Sequence, residues 1–575
     1  MKFPSPLLLP FVLLILNVTG CKSKQEKLLF TAINPSGSNI DFENKIVETA
    51  EKNVMVYEYY YNGAGVAAAD FNNDGLCDLY FTGNDVENKL YLNKGSLSFT
   101  DITNKAGVKG RQGWKTGVTA VDINGDGWMD IYVSYSGPVK KENLSEELYI
   151  NQGCGKDGIP VFVERAAAYG LDSKFTFTMQ AAFFDFDGDG DLDMYQCNHA
   201  QRYYSPFFDT EKVRFKRHPQ FGSRLYRNDG EHFVDISEAA GIRGGGLSFG
   251  LGVSISDVNN DGLPDIYVTN DFEEQDFFYL NRGNGTFKEV TKKSFGHLSK
   301  FAMGCDIADF NNDLLQDVLV VDMLPEKLER QKLLKGPDEF DKYSLMVNSG
   351  FQNQYMRNTL QLNQGNSKDS IPVFSEIGQL ANIYNTDWSW SPLFADFDND
   401  GFKDVFITNG FLRDFTNLDF LKYTYQDAAD KARNNGSILP VFELIKKMPT
   451  VQLSNFGFKN NGSLSFSNET TAWGLGQPMV SNGSVYVDLD NDGDLELVTN
   501  NINQKATVWQ NHANELYQNN FIKVKLKGKG KNSKAIGAKV FVFSKNKQQV
   551  QELNPTRGYL SSVDYVLNFG FGNDS

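Results

Sequence analysis

Histidine and cysteine are scarce in this chain, five of each in 575 residues. The histidines stand apart at 199, 218, 232, 297 and 512, with no His-rich metal motif and no Ser/His/Asp spacing. His199, beside Arg202 and Tyr203, is the best catalytic candidate. Cys77, Cys154, Cys197 and Cys305 form no C-x-x-C pair, and buried free thiols are the expectation for them. Positive charge is lacking as well. The formal net charge of −16 argues against a nucleic-acid partner. Beyond the N-terminal stretch, no segment is apolar enough to cross a membrane as a helix.

What is present is organised acid. Residues 70–78 read D-F-N-N-D-G-L-C-D, with acidic or amide side chains at positions one, three, five and nine and glycine at six. Like charges this close repel unless a cation sits among them. Calcium fits, because it takes six to eight oxygens in irregular geometry. The first copy offers Asp70, Asn72, Asp74, the Leu76 carbonyl and Asp78. The second offers Asp122, Asn124, Asp126, the Trp128 carbonyl and Asp130, and the third Asp185, Asp187, Asp189, Asp191 and Asp193. The fourth has Asp257, Asn259, Asp261, the Leu263 carbonyl and Asp265; the fifth has Asp309, Asn311, Asp313 and Asp317. The sixth has Asp396, Asp398, Asp400, the Phe402 carbonyl and Asp404, and the seventh Asp488, Asp490, Asp492, Asp494 and Glu496.

An EF-hand starts the same way but needs Glu at its twelfth place and helices on both sides. Here the first copy has Phe81 at that place, between G-V-A-A-A and L-Y-F-T, which read as strands. Each loop therefore joins two strands as a hairpin. Up to seven Ca²⁺ are expected, held most tightly in the acid-rich copies three, six and seven. The weakest site is expected at Asp309–Asp317, where Leu314 replaces the glycine. Seven ions would offset most of the net charge.

The flanks repeat too. Gly65, Gly117, Gly252, Gly304 and Gly483 stand five residues before the first aspartate, with Gln180 and Ser391 in the other two copies. Trp114, Phe177, Phe249, Phe301 and Trp388 stand eight before it and are expected to pack between blades. An L-Y-x-N strand, an N-x-G turn and an F-x-D-I-T strand follow, as in residues 89–107. Four-strand units repeated radially predict an all-β, seven-bladed propeller. The last unit lacks its outer strand, and residues 29–33 are expected to supply it and close the ring.

These units resemble the FG-GAP/VCBS repeats of integrin-α-type propellers over nearly all of residues 28–512. The stretch from N-F-I-K-V-K-L-K to R-G-Y-L-S-S-V-D-Y-V-L-N-F-G-F-G resembles the ASPIC/UnbV domain. Together they are similar to the cartilage acidic protein family and its bacterial relatives. The resemblance implies a propeller over 29–512 and a small β-rich domain over 513–575. Tails of that kind run on into a further W-P-x-G-like strand, so an incomplete terminal domain is expected. The basic run 523–534 reads as strand and turn facing solvent.

The N-terminus has one lysine, a short apolar stretch, and V-T-G-C ending at Cys21, which resembles a bacterial lipobox. The expected organisation is a signal peptide over 1–20, a lipid on Cys21 and a tether over 21–28. That makes the protein a bacterial cell-envelope, outer-membrane lipoprotein facing periplasm or exterior, in contact with the membrane only through its lipid.

Long insertions near 199–223, 324–356 and 411–454 all leave the face opposite the hairpins and suggest a cap over the propeller mouth. Asn198, His199, Asn270, Asp322, Asn409 and Asn501 lie on that side as a candidate ligand face, although Asn and Asp also close turns. The leading functional reading is a calcium-rigidified module that binds a glycan or protein ligand, for adhesion or scaffolding. The alternatives are a glycan lyase or hydrolase with its site in the mouth, and an accessory subunit of a carbohydrate-uptake complex.

Overall fold

The computed structural model describes residues 27–140, 143–201, 210–230, 232–334, 340–545 and 547–574. The expected signal peptide, Cys21 and most of the expected tether lie outside them. The first six blades carry four strands each in simple antiparallel order: the first is Val66–Ala69, Asp78–Phe81, Lys89–Asn93 and Phe99–Asp101, its sheet extended to six by two C-terminal strands, and the sixth Ser389–Ala395, Asp404–Asn409, Phe456–Asn460 and Phe466–Asn468. The seventh takes Ser481–Val487, Glu496–Asn501 and Thr507–Asn511 from the end of the repeats and Phe30–Ala32 from their beginning. Phe30 pairs with Asn511 and Ala32 with Trp509, so both chain ends share one sheet and the ring has no open seam.

The innermost strands are buried on both faces, which is why they read as small or apolar runs rather than alternations. Their tightest points meet both the neighbouring inner strands and the C-terminal chain. Residues 513–575, expected as a domain following the propeller, send a hairpin into the ring along its axis: Thr556–Arg557 and Ser561–Ser562, the latter pairing in parallel with the first inner strand at Ala67. Gly558 exchanges two backbone hydrogen bonds with Cys305 (3.0 and 3.1 Å). The Val118 N–H donates to Leu560 O (3.0 Å), and the Gln180 side chain brackets Leu560 N–H and Ser561 O. A Cβ at Gly65 or Gly304 would strike this hairpin's backbone, so these two glycines make room for an axle of the chain's own making, while Gly117 and Gly252 make room for the next inner strand. Arg557 is pinned there by a buried ion pair with Asp306 (2.8 Å).

The opposite end of the axis is stoppered from the N-terminal side. Tyr57 and the turn Glu58–Tyr61 lay four tyrosines across the mouth. Trp114 packs on Tyr60 at 4.9 Å between ring centroids and Phe249 on Tyr59 at 6.1 Å, while Trp388 stacks on Phe411, which meets Tyr61. The aromatic set expected between blades therefore converges on the axis. It is core, as its burial indicates, but the core of the mouth.

The three insertions form short helices on the mouth side, such as Leu328–Leu334, Phe340–Asn348 and Gln426–Asn435. They are tied laterally by buried or half-buried arginines. Arg214 pairs with Glu274 and donates to Gly350 O, Arg330 bridges Asp387 and Asp414, and Arg413 pairs with Glu48 of the N-terminal segment. They brace the tyrosine stopper and do not roof an open channel. Among the described residues no helix is long and apolar enough to cross a membrane.

Candidate metal centres

All seven acidic hairpins lie on one face and share one hydrogen-bond plan. The leading aspartate accepts the sixth-position N–H on one oxygen: Gly75 to Asp70, Gly127 to Asp122, Gly262 to Asp257 and Gly493 to Asp488, each at 2.9–3.0 Å. The fifth-position N–H reaches its other oxygen in copies one, two, four, five and six. In the fifth copy Leu314 makes the sixth-position bond (2.9 Å) at φ 70°, a left-handed backbone forced on a branched side chain.

The ninth-position carboxylate is buried and works from behind. One oxygen accepts the N–H of loop position two and the other the N–H of the L-Y-x-N asparagine: Asp78 from Phe71 and Asn93, Asp130 from Ile123 and Asn151, Glu496 from Leu489 and Asn511. Burial pushes Asp130 and Asp193 up to about 8, against backbone hydrogen bonds that lower them, and neighbouring loop aspartates push the same way. Asp396 is raised to about 8, Asp494 to about 7 and Asp490 to about 6 by burial and then by adjacent carboxylates. Such crowded, desolvated acids are short of positive charge.

Carboxylate oxygens of Asp185, Asp187 and Asp193 lie within 4.8 Å of one another, as do those of Asp396, Asp398 and Asp404 and of Asp488, Asp490 and Asp492. These are the acid-rich copies three, six and seven. Oδ1 of Asp191, Asp488, Asp490 and Asp494 is buried without a hydrogen-bond partner, as expected of oxygens shaped for an ion. The donor set, all hard oxygen, suits Ca²⁺. In copy six Lys459 already sets its ammonium against Asp398 and Asp400 (2.9 Å to the latter).

The asparagine of L-Y-x-N is the residue that sequence reasoning quoted but gave no role. Asn151 donates to Met129 O in its own hairpin (3.1 Å) and to Phe71 O in the neighbouring one (2.9 Å), and accepts from Gly153 N–H (3.0 Å). Asn93, Asn281, Asn363, Asn460 and Asn511 repeat this across their own blade boundaries. The only signal was its invariance within the chain's own repeats.

A second chain of asparagines links hairpin tips. Asn73, Asn260, Asn312, Asn399 and Asn491, all at positive φ, donate to the sixth-position carbonyl of the next hairpin, the last closing the circle on Gly75 O (3.1 Å). Copies two and three have Gly125 and Gly188 there instead. At the first of these gaps the C-terminal chain takes over: Asn532 N–H donates to Gly190 O (2.9 Å) and Lys534 to Gly127 O (3.0 Å).

That contact corrects the reading of the basic run. Lys523 pairs with Asp488 (2.5 Å), Lys531 with Asp191 (3.6 Å) and Lys539, just beyond the run, with Asp257 (2.9 Å). These lysines face the acidic hairpins across the domain interface, not only solvent.

The candidate ligand face is also corrected. Asn198, His199, Asn270, Asp322, Asn409 and Asn501 are all buried, at most 1% exposed. Asn198 donates to Gly222 O, Asn270 to Gln275 O, Asn409 to Thr386 O and Asn501 to Lys505 O. Asp322 accepts N–H bonds from Lys300, Phe301, Met323 and Arg357. These residues close turns. His199 gives its Nδ1 proton to Ala200 O and holds Ser136 and Tyr57 on Nε2, and burial pushes its pKa down to about 4. It is a neutral core histidine, out of a substrate's reach. Cys77, Cys197 and Cys305 are buried free thiols and Cys154 is exposed.

Comparison with known proteins agrees with this architecture. Residues 51–133 and 257–320 match the FG-GAP-like repeat, and residues 528–575 match ASPIC and UnbV. Cartilage acidic protein 1 of mouse is 23% identical over 99% of this chain and 75% of its own length, and the human protein is 23% identical over 99% and 74%. Among solved structures, an Agrocybe aegerita lectin that recognises non-reducing terminal N-acetylglucosamine aligns over 76% of this chain and 88% of its own, at 15% identity and TM-score 0.38. The Bacillus licheniformis rhamnogalacturonan lyase aligns over 79% and 72%, at 13% identity and TM-score 0.34. The chain is thus a seven-bladed propeller of FG-GAP-like repeats completed by an ASPIC and UnbV domain, close to the cartilage acidic proteins.

Proposed function

We propose that this protein is a calcium-stabilised binding module of the cell envelope that engages a macromolecular ligand through its insertion face. One observation supports this above the others: both ends of the propeller axis are filled by the chain itself, at Tyr57–Tyr61 and at Arg557–Ser562. The mouth that would house an enzyme's cleft is occupied, and the C-terminal domain overlies part of the hairpin face. The insertion face displays Phe340 (75% exposed), Tyr423 (66%) and Ile438 (94%) on braced helices and loops. Aromatic and apolar anchors on a rigid frame favour a protein ligand over a glycan.

Up to seven Ca²⁺ would rigidify the hairpins. The anchor we propose is a lipid on Cys21 of V-T-G-C. Lys27 pairs with Glu515, whose neighbour Asn514 holds Asp492 O, so the described chain starts on the hairpin side. A tether from there would leave the insertion face pointing away from the membrane. The test is a protein and glycan array probed with the lipid-free body, comparing the parent with Tyr423→Ser/Ile438→Ser. Protein hits lost in the variant are expected. Binding that ignores the substitutions, or turnover of a glycan hit, would overturn the reading.

A further inference from the structure

We propose that the C-terminal domain forms part of the ion sites in the second, fourth and seventh hairpins, through Ser533, Lys539 and Lys523. This rests on the calcium reading of those hairpins. Three donors from three places in the domain converge on one atom type. Ser533 Oγ donates to Asp122 Oδ2, Lys539 Nζ to Asp257 Oδ2 (2.9 Å) and Lys523 Nζ to Asp488 Oδ2 (2.5 Å). In each hairpin that same oxygen already accepts the sixth-position glycine N–H. The leading carboxylate is thereby gripped twice on its rear oxygen, while its front oxygen accepts only the fifth-position N–H in hairpins two and four and keeps a lone pair for the ion. On Asp488 that front oxygen, Oδ1, is buried and has no partner, and the same holds for Asp490 Oδ1 and Asp494 Oδ1 in the same hairpin.

A ligand oxygen held from behind loses less freedom when the ion arrives. Partners of this outer kind are typically worth about 10–100-fold in metal affinity. Ser533 is the cleanest case, because it is neutral and acts by position alone, whereas the lysine ammonium also repels the incoming cation. The backbone bond from Asn532 to Gly190 O sets the Ser533 turn in the gap left by Gly125. Ion occupancy and docking of the C-terminal domain are then linked, each strengthening the other at hairpin two.

The experiment is calorimetric calcium titration of the full chain, with amide exchange followed at residues 530–535. In Ser533→Ala one site should weaken by about tenfold or more, and Ser533→Thr, which keeps the hydroxyl, should restore it. Exchange at 530–535 should slow on calcium addition in the parent and respond less in Ser533→Ala. Melting in chelator confirms that the variants fold alike, and Lys539→Gln, which keeps a donor without the charge, gives an independent second position. Unchanged affinity in both Ser533→Ala and Lys539→Gln, with calcium-indifferent exchange, overturns the proposal while leaving calcium binding standing. A parent that takes up no calcium overturns both.

Discussion

Replacing Asn151 with alanine should cost this protein about 3 kcal/mol, roughly 1 kcal/mol for each hydrogen bond the side chain makes. The side chain is fully buried and makes three hydrogen bonds: two donations, to Phe71 O and Met129 O, and one acceptance, from Gly153 N–H. Alanine leaves all three backbone groups without that partner, in a place where water enters poorly, so the loss should not fall below the sum of the net bonds. The backbone N–H of residue 151 still reaches Asp130 (2.7 Å), so the hairpin's own ninth-position clasp survives. What is lost is the link from blade two to the hairpin of blade one. Urea unfolding at saturating calcium reads this as a lower midpoint at unchanged slope. Asn461→Ala, on an exposed turn where the side chain meets only the Ser465 and Ser467 hydroxyls (3.4 and 3.1 Å) within reach of water, is the control and should change stability by less than about 0.5 kcal/mol. A loss below about 1 kcal/mol for Asn151→Ala would refute the claim that these asparagines hold the blades together.

Three further outcomes are expected. Leu314→Gly should relieve about 1–2 kcal/mol of left-handed strain, partly offset by about 0.5–1 kcal/mol of added chain entropy, and should tighten the fifth ion site; a calcium titration that places that site no tighter than before would count against the strain argument. His199 is a base whose folded pKa, about 4, lies below its unfolded value, so the stability tied to its neutral form is present above pH 6.5 and is lost as pH falls towards 4. That loss is of order 3 kcal/mol, and His199→Gln should flatten the stability profile between pH 6.5 and 4; an unchanged slope would place the titration elsewhere. Excess chelator should lower the melting temperature, since ions bound to the folded state add to its stability, and an unmoved transition would deny the hairpins a structural role.

The amino-acid sequence determined the repeating unit. Acidic or amide side chains at positions one, three, five and nine, with glycine at six in all copies but the fifth, suit a turn wrapped round a cation, and the apolar flanks make that turn a hairpin. These are short-range constraints written within nine residues, so they are legible without the fold. So is the missing outer strand of the last unit, because each repeat supplies a template for the others. The distant contacts are of another kind. That Asn198 and His199 are buried, that Tyr57–Tyr61 stopper the axis and that Gly65 yields space to Leu560 all depend on which parts of the chain meet across hundreds of residues. Only the closed ring decided those, because a propeller brings seven equivalent positions to one line and whatever segment lies on that line must fit them all. The lysines of 523–539 are the sharpest case: by themselves a solvated basic strand, they became counter-charges to the hairpins once the C-terminal hairpin entered the ring and set them above the acids.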